Sequence, residues 1–299
     1  MNEDVLVSVI IPMFNREQTI EMSVRSVLAQ TYSNLELIVV DDCSTDKSVQ
    51  VVKAIDDSRI QVVVCEKNGG ACTARNIGID YAKGAIIAFQ DSDDFWHEDK
   101  LEKSLYYLEK KNADFIFSSA YIKGKKKEAF IDPDYNLNKV ENKLSKLLGA
   151  NCVSTQTIVA KKKVFQTIRF DTGLPRFQDW DLALQVVKKN FQIYFIPEPL
   201  VDRFYTEDSI TSNWEKGKRA LEILENKYKA DLNCNREGAY EFYFRTAVFF
   251  EKSGSNGRYY FKQAFRAKKS VGMLIRYILA QLRIYGLLNS IFSNYFKKS

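Results

Sequence analysis

Histidine is nearly absent from this 299-residue sequence, which contains it once, as His97. His97 stands where we expect a helix start, and there it should be exposed rather than catalytic. A Ser-His-Asp triad is therefore not expected. A Cys–His nucleophile pair stays open. The five cysteines form no CxxC motif and no Cys/His spacing typical of zinc sites, and their number is odd. We therefore expect reduced thiols rather than disulfides or a zinc site.

Long apolar runs and an amino-terminal basic segment are also missing. No stretch of about 18 uninterrupted apolar residues occurs, so no transmembrane helix is predicted. The opening segment MNEDVLVSVIIP carries acids where a signal peptide needs bases. The sequence also lacks a GxGxxG motif and a Walker loop, which are the usual phosphate-binding fingerprints. Without a signal peptide or a transmembrane helix, the protein is predicted to be cytoplasmic. Phosphate binding by a GxGxxG or a Walker loop is not expected.

Acidic residues are absent after Glu251, whereas ten Lys and Arg occur in residues 252–299. The whole chain has a formal net charge of +6, which leaves about −4 for residues 1–251. In the tail the bases alternate with aromatic and aliphatic residues. Two interpretations are open: a basic amphipathic segment on an anionic membrane surface, or helices that pack on the body with solvated bases. Nucleic acid binding fits less well, since the body is acidic and no binding motif occurs.

The pattern that is present is an alternation of short apolar strands with amphipathic helices over the first 120 residues. It predicts an α/β fold with a mostly parallel sheet flanked by helices. We expect one domain over residues 1–212 and a basic helical region over 213–299. The predicted strands lie at residues 7–11, 35–40, 60–64, 85–90, 113–121 and 192–196, and the predicted helices at 20–28, 46–55, 71–82, 98–110 and 179–190.

Three aspartates crowd into four positions in the stretch FQDSDDFW, directly after the predicted strand 85–90. Parallel sheets bind ligands at the carboxyl ends of their strands, which places this cluster at such an edge. Asp91 and Asp93 can aim oxygens at one hard cation, Mg²⁺ or Mn²⁺, and leave its other positions for a diphosphate. The alternative is a solvated loop in which Asp94 caps the following helix.

Three other segments are expected at the same edge. Asp41 and Asp42 end the second strand, where one carboxylate can accept a hydrogen bond from a base N–H or form a capping Asx-turn. Phe14 follows the first strand and either stacks on a base, worth ~1–3 kcal/mol, or belongs to the core. Arg75 pairs either with a phosphate or with an acid of the cluster.

A second acidic spot lies far along the chain, in FQDWDL. A carboxylate beside apolar aromatic residues can have a raised pKa and act as a general base. The alternative is that Asp179 or Asp181 caps the helix that follows.

The segments VSVIIPMFN, LELIVVDDCSTD, RNIGIDYAKGAIIAFQDSDD and FQDWDLALQV, in this order, resemble the family 2 glycosyltransferases. The similarity spans about residues 7–211 and implies the GT-A fold. It also implies transfer of a sugar from a nucleotide-diphosphate sugar, a UDP-sugar by family habit, to an acceptor hydroxyl with inversion. A glycan or lipid-linked acceptor in bacterial cell-surface polysaccharide biosynthesis is expected, at the inner face of the cell membrane.

The resemblance also implies residue roles. Asp42 would contact the base, Phe14 would stack on it, and Asp179 would be the catalytic base. Asp91 and Asp93 would form the DxD motif and serve the diphosphate through Mn²⁺ or Mg²⁺, with Asp93 the closer ligand. The expected nucleotide-sugar site comprises Pro12, Phe14, Asp42, Arg75 and Asp91.

The chain departs from the family pattern at two positions. Gln178 replaces the usual Glu before the base, and Tyr205 stands where many relatives carry a histidine that assists the metal or diphosphate. Two alternatives to a transferase of this kind are open. One is a sugar nucleotidyltransferase, which would release pyrophosphate, and the other is a nucleotide-sugar-binding module without catalysis.

Overall fold

Strands and helices form where the apolar periodicity changes between two and 3.6 residues. In the computed structural model, which describes residues 5–124, 127–133, 136–204 and 213–282, the elements lie close to the predicted positions. The strands are β1 (Val7–Met13), β2 (Leu35–Asp41), β3 (Ile60–Val64), β4 (Ile86–Phe89), β5 (Phe95–Trp96), β6 (Phe115–Gly124), β7 (Lys127–Asp132), β8 (Val159–Lys161) and β9 (Ile193–Phe204). The helices are α1 (Ile20–Leu28), α2 (Ser48–Lys53), α3 (Ala71–Tyr81), α4 (Lys100–Lys110), α5 (Lys143–Gly149), α6 (Gln178–Lys188), α7 (Trp214–Lys227), α8 (Lys229–Cys234), α9 (Arg236–Lys252), α10 (Arg258–Ala267) and α11 (Val271–Gln281).

Across the described residues the strands form one nine-stranded sheet in the order β3-β2-β1-β4-β8-β6-β9-β5, with β7 on β6. The first four strands are parallel to one another, and so are β6 and β9. Strands β5, β7 and β8 run antiparallel to their neighbours. The α/β prediction with flanking helices is confirmed, and the sheet is mixed because the strands that the periodicity missed are antiparallel.

The missed strands are short or carry an unusual sequence. β5 has two residues and β8 three, too few to show a period. β7 begins in a lysine-rich segment that reads as a turn. β9 continues beyond the predicted strand through two prolines, and its register with β6 jumps from Ile196 to Pro199. A bulge accommodates this part of the strand, because proline has no N–H for the ladder.

The core centres on β1, whose seven residues are all buried. α3 packs closely on this strand, since a Cβ at Gly78 would lie 2.4 Å from Cγ2 of Ile10. Only glycine allows that approach in a closely packed interior. The close packing fixes α3, and the residues that it carries, against the centre of the sheet.

The chain divides into two compact units. The first contains the sheet with α1–α4 and α6, and the second contains α5, residues 174–177 and α7–α11. In the second unit, α9 begins with Asn235, whose Oδ1 accepts hydrogen bonds from the Gly238 amide and from the Ser145 hydroxyl, both at 2.9 Å. Among the described residues, no helix is long and apolar enough to cross a membrane.

Lys100, at the start of α4, is fully buried. Its Nζ lies 3.9 Å from the centroid of the Trp96 ring and has no hydrogen-bond partner among the described residues. Burial lowers the pKa of Lys100 from 10.5 to about 7. The ammonium form is therefore disfavoured in the folded protein, although the face of the indole ring attracts it.

We expect Lys100→Met to stabilise the protein. Between pH 7 and pH 10.5 the unfolded chain binds the lysine proton more tightly than the folded protein, so the wild-type free energy of unfolding rises with pH in that window. A buried donor without a partner costs about 1–3 kcal/mol, and Met removes that donor at similar side-chain volume. Urea unfolding should show that gain near pH 7, and the gain should shrink toward pH 10.

The matched control is Lys103→Met in the same helix. Lys103 is partly exposed and its Nζ lies 2.7 Å from Glu198 and 2.9 Å from Asp99. This change should give no stabilisation at pH 7. A stability gain for Lys100→Met that stays constant up to pH 10 would contradict the lowered pKa.

Candidate active site

A tight turn after β4 brings the three aspartates of the acidic cluster together. The turn is held from both sides: Ser23 Oγ donates to the Asp91 carbonyl at 2.7 Å, and Gln90 Nε2 donates to the Asp94 carbonyl at 2.8 Å. The Gln90 amide donates to Ile10 O at 3.0 Å, which extends the β1–β4 pairing to the turn. The carboxylates are thereby fixed at the carboxyl edge of the sheet, where the sequence placed them.

Arg75 neutralises one of these carboxylates. Its Nη2 donates to Asp91 Oδ1 at 2.7 Å, and its guanidinium carbon lies 5.5 Å from the centroid of the Phe170 ring. Arg75 projects from α3 and is buried. The alternative that Arg75 pairs with an acid of the cluster is therefore confirmed. The ion pair fixes the orientation of the Asp91 carboxylate.

Asp93 has a weaker cationic partner. The Nε of Arg16 lies 3.7 Å from Asp93 Oδ2. Burial raises the pKa of Asp93 and the charge of Asp91 adds to the rise, whereas Arg16 and Arg203 oppose it. The surroundings of Asp93 thus disfavour its ionised form.

Asp94 turns inward. Its Oδ1 accepts a hydrogen bond from the Phe204 amide at 3.0 Å, which ties the turn to the end of β9. The capping alternative for Asp94 is wrong, because α4 begins at Lys100 after Asp99. Burial, followed by repulsion from Asp91 and Asp93, raises the pKa of the Asp94 carboxyl well above its ordinary range.

The donor set at this turn fits a hard divalent cation. Asp91 and Asp93 offer carboxylate oxygens two residues apart, each close to an arginine that keeps it oriented. Among the described residues no cluster of three or more His, Cys, Asp or Glu side chains forms a complete metal cage. Two carboxylates with open positions suit a cation that also binds phosphate oxygens, as Mg²⁺ usually does.

The first strand presents an aromatic ring at the same edge. Phe14 follows β1 and is 43% exposed, so its assignment to the core is wrong. The next residue, Asn15, adopts φ +50. Its amide donates to Ser44 Oγ at 2.9 Å, which joins the loop after β1 to the loop after β2. Pro12 is buried within β1, opposite Val40 of β2.

The two aspartates after β2 have different surroundings. Asp42 is buried, and its two carboxylate oxygens accept hydrogen bonds from the amides of Gly69 and Gly70, both at 2.7 Å. Gly70 has φ +83, which a side chain would strain, and directly precedes α3. Oδ2 of Asp41 accepts from the Ser44 amide at 3.1 Å, whereas its buried Oδ1 has no partner within the described part of the chain.

Asp179 lies in the first turn of α6, which begins at Gln178. Both capping alternatives in this segment are wrong, because Asp179 and Asp181 lie inside the helix. Asp181 is fully buried and accepts from Gln185 Nε2 at 2.7 Å. Asp179 is partly exposed.

The pKa of the Cys72 thiol reflects charges carried by both α3 and α6. Burial raises the pKa of Cys72 to about 11, and the carboxylates of Asp171, Asp179 and Asp181 add to the rise while Arg75 opposes it. The residue expected as base therefore lies in the same electrostatic environment as Arg75, although 104 positions separate them in the sequence.

His97 has a structural partner. Its Nε2 lies 3.0 Å from Oδ1 of Asp202 on β9, and its backbone amide donates to Leu200 O at 3.0 Å. His97 is partly buried rather than exposed, and it precedes α4 by three residues. Tyr205, which replaces the family histidine, lies outside the described residues.

Two features of this edge were not predicted from the sequence. Arg16 forms an ion pair with Asp93, yet the sequence shows only a base two residues after Phe14. The amides of Gly69 and Gly70 both donate to Asp42. Because these glycines match none of the common phosphate-loop motifs, no role was predicted for them. The signal available in the sequence was position: Arg16 follows a predicted strand, and Gly69 and Gly70 precede a predicted helix.

Known proteins resemble this chain along most of its length. Residues 8–169 match the sequence model of glycosyl transferase family 2. The UDP-Glc:α-D-GlcNAc-diphosphoundecaprenol β-1,3-glucosyltransferase WfgD of Escherichia coli is 37% identical over 227 residues, 74% of this chain and 86% of that protein. The amylovoran biosynthesis glycosyltransferase AmsB of Erwinia amylovora is 32% identical over 210 residues, 67% of this chain and 70% of that protein.

A solved structure shares the fold at lower identity. The mannosyltransferase PcManGT of Pyrobaculum calidifontis, in complex with GDP-Man and Mn²⁺, superimposes with a TM-score of 0.64 and 17% identity, covering 98% of this chain and 88% of that one. The family match covers more than half of the chain, and the order of motifs along the sheet edge agrees with it. The chain therefore belongs to glycosyl transferase family 2, as a glycosyltransferase with the GT-A fold.

Proposed function

We propose that this glycosyltransferase transfers a sugar from a UDP-sugar to an acceptor hydroxyl with inversion, during the assembly of a bacterial cell-surface polysaccharide. The proposed acceptor is a glycan or a lipid-linked saccharide. WfgD is named for a UDP-sugar donor and a diphosphoundecaprenol-linked acceptor, and AmsB for polysaccharide biosynthesis, which supports this assignment. Family membership favours it over a sugar nucleotidyltransferase or a binding module without catalysis.

The observation that best supports this proposal is that the three aspartates of the acidic turn have different partners. Arg75 pairs with Asp91 at 2.7 Å, Asp94 binds the Phe204 amide, and Asp93 lies 3.7 Å from the Nε of Arg16. We propose that Asp93 and Asp91 hold Mn²⁺ or Mg²⁺, with Asp93 the closer ligand. A divalent cation bound there supplies positive charge to the leaving diphosphate. The mannosyltransferase PcManGT, which shares the fold, is solved in complex with GDP-Man and Mn²⁺.

The edge formed by β1 and β2 is proposed to receive the nucleoside. Phe14 offers an exposed ring for stacking beside the buried Pro12. The two carboxylate oxygens of Asp42 already bind the amides of Gly69 and Gly70. Asp42 therefore contributes to this site indirectly, by holding the loop that precedes α3. The unpaired Oδ1 of Asp41 is the proposed acceptor for a base N–H. A buried acceptor without a partner is costly unless something pairs with it.

Asp179 is the proposed catalytic base. Its carboxylate would accept the proton of the acceptor hydroxyl as that oxygen attacks the anomeric carbon from the face opposite the diphosphate. The bond to the nucleoside diphosphate breaks as the new glycosidic bond forms, so a single displacement inverts the carbon. We also propose that the enzyme works at the inner face of the cell membrane, where a lipid-linked acceptor would be available.

A thermal-shift screen tests the donor site directly. We expect Mn²⁺ with UDP to raise the Tm, and GDP, CDP and ADP to do so less. A ligand at ~100 times its Kd adds about 2.7 kcal/mol to the free energy of unfolding, which is measurable. An equal shift with all four nucleotides, or none with any, would contradict a UDP-selective, metal-bridged site.

Asp93→Asn should separate activity from stability. Transfer should fall by about 10²-fold or more, since transition-state charge loses its stabilisation. The metal-dependent Tm shift with UDP should disappear. The Tm without ligand should stay equal or rise, because the change removes a half-buried charge beside Asp91 and Asp94.

The matched control is Asp80→Asn, which removes a carboxylate at a position exposed at the surface of α3 and paired with Arg169 at 2.9 Å. It should leave both transfer and the UDP shift unchanged. Full transfer activity in Asp93→Asn would remove Asp93 from the proposed site.

Asp179→Asn should abolish base catalysis without loss of donor binding. We expect transfer to fall by about 10²–10⁴-fold. The Tm shift with Mn²⁺ and UDP should match the wild type, because this side chain contacts the acceptor in the proposed mechanism. Steady-state kinetics should show the loss in kcat. A variant that loses UDP binding, or one that transfers normally, would contradict the assignment.

The two aspartates after β2 should respond differently to amide substitution. Asp42→Asn places an NH₂ group opposite a backbone N–H, and losing a charge-assisted hydrogen bond costs about 1.5–3 kcal/mol of stability. Asp41→Asn should leave stability near the wild-type value and reduce the preference for UDP in the thermal-shift screen. The reverse pattern would return base recognition to Asp42.

A further inference from the structure

The last two described helices of the second unit differ in the face that they turn to solvent. α10 packs against α9, with the rings of Phe250 and Tyr260 4.7 Å apart. Phe261 and Ala264 are fully buried. The outer face of α10 carries basic residues at four-residue spacing, which are Arg258, Lys262 and Arg266. α10 is thus an amphipathic helix with its apolar side covered and its bases solvated.

α11 shows the opposite arrangement. Met273 and Ala280 are buried, while the other side of the helix exposes large apolar residues. Each of these residues has another member of the set three or four positions away, and together they fall on one side of a helix with 3.6 residues per turn. We call them the α11 stripe: Val271 (75% exposed), Leu274 (39%), Ile275 (41%), Ile278 (45%) and Leu282 (62%).

Such a stripe indicates an interaction surface. Single exposed apolar residues are common, but a continuous apolar row along a helix marks a place where a partner covers it. Three kinds of partner offer an apolar surface: a lipid bilayer, a second copy of this chain, or another protein.

Charge distinguishes these partners. No acidic residue follows Glu251, and seven bases lie between residues 252 and 282. Lys268 and Lys269 are exposed directly before the stripe. A second copy docked through the stripe would bring two such basic segments together, and like charges repel. A bilayer with anionic headgroups offers apolar depth and complementary charge at one surface.

We propose that the α11 stripe docks on an anionic lipid bilayer. The apolar side chains enter the boundary between headgroups and acyl chains, and the neighbouring lysines lie at the headgroup phosphates. This inference rests on the proposed function in one respect: a lipid-linked acceptor would lie in the same surface. The docking itself requires neither donor nor acceptor.

Vesicle sedimentation of the full chain tests the proposal. The bound fraction should be larger with phosphatidylcholine vesicles containing phosphatidylglycerol than with phosphatidylcholine alone, and should fall as salt increases. Ile275→Glu combined with Ile278→Glu should lower the partition coefficient by about tenfold or more. Ile275→Ser combined with Ile278→Ser should also lower it, which separates loss of apolar contact from added negative charge.

The matched control is Tyr81→Glu combined with Tyr106→Glu. Tyr81 is 48% and Tyr106 41% exposed, they lie in the first unit, and the charge change is the same. This variant should bind vesicles like the wild type. Equal loss of binding in both double-glutamate variants would overturn the stripe as the docking surface.

Other results would identify another partner or none. Wild-type protein that binds anionic and neutral vesicles equally, or neither, overturns the proposal. A wild-type dimer in analytical ultracentrifugation that becomes a monomer in the stripe variant, without vesicle binding, assigns the stripe to a second copy. A Tm that drops in the stripe variant but not in the control shows that the chain itself covers the stripe.

Donor hydrolysis by water keeps this proposal separate from the proposed function. UDP release measured without lipid should be the same in the wild type and in the stripe variant. Lost vesicle binding with intact hydrolysis concerns docking alone. Intact vesicle binding without any hydrolysis or transfer would count against the proposed function and leave the docking surface in place.

Discussion

The part-buried ion pair between Arg75 and Asp91 is the contact on which the arrangement of the candidate site depends. It joins α3 to the turn after β4, and Gly78 fixes the distance between that helix and β1. A charge-assisted hydrogen bond of this kind is shorter and stronger than a neutral one, so the pair constrains both elements. The guanidinium of Arg75 orients the Asp91 carboxylate, whereas Asp93 lies 3.7 Å from its arginine partner Arg16.

The crowding of three carboxylates in one turn lowers the stability of the fold at the candidate site. The pKa values of Asp93 and Asp94 are raised because burial and mutual repulsion disfavour their ionised forms. Evenly paired charges would give a more stable turn with less affinity for a cation. Perturbed carboxylates in this position are typical of sites that bind metal or take part in catalysis. The buried β1 core and the hydrogen bonds that close the turn offset the cost.

The two described basic helices α10 and α11 differ in how they bury their apolar faces. α10 covers its apolar face on α9, whereas α11 leaves an apolar stripe in solvent. The difference arises from which residues fall on the packed side: Tyr260 and Phe261 in α10, but only Met273 and Ala280 in α11. Because α11 buries Met273 and Ala280 within its own unit, the exposed apolar side chains on its other side are available to a partner.

The sequence by itself determined the α/β class, the order of the first strands and helices, and the segments that meet at the strand ends, since apolar period and strand-end position are local properties. Tertiary structure decided which carboxylate oxygens are free to bind a ligand. The carboxylate of Asp42 accepts from the amides of Gly69 and Gly70, and that of Asp94 accepts from an amide of β9. These partners lie 27, 28 and 110 positions away. It also decided the mixed character of the sheet, because strands of two or three residues show no period and pair only when the rest of the sheet is in place.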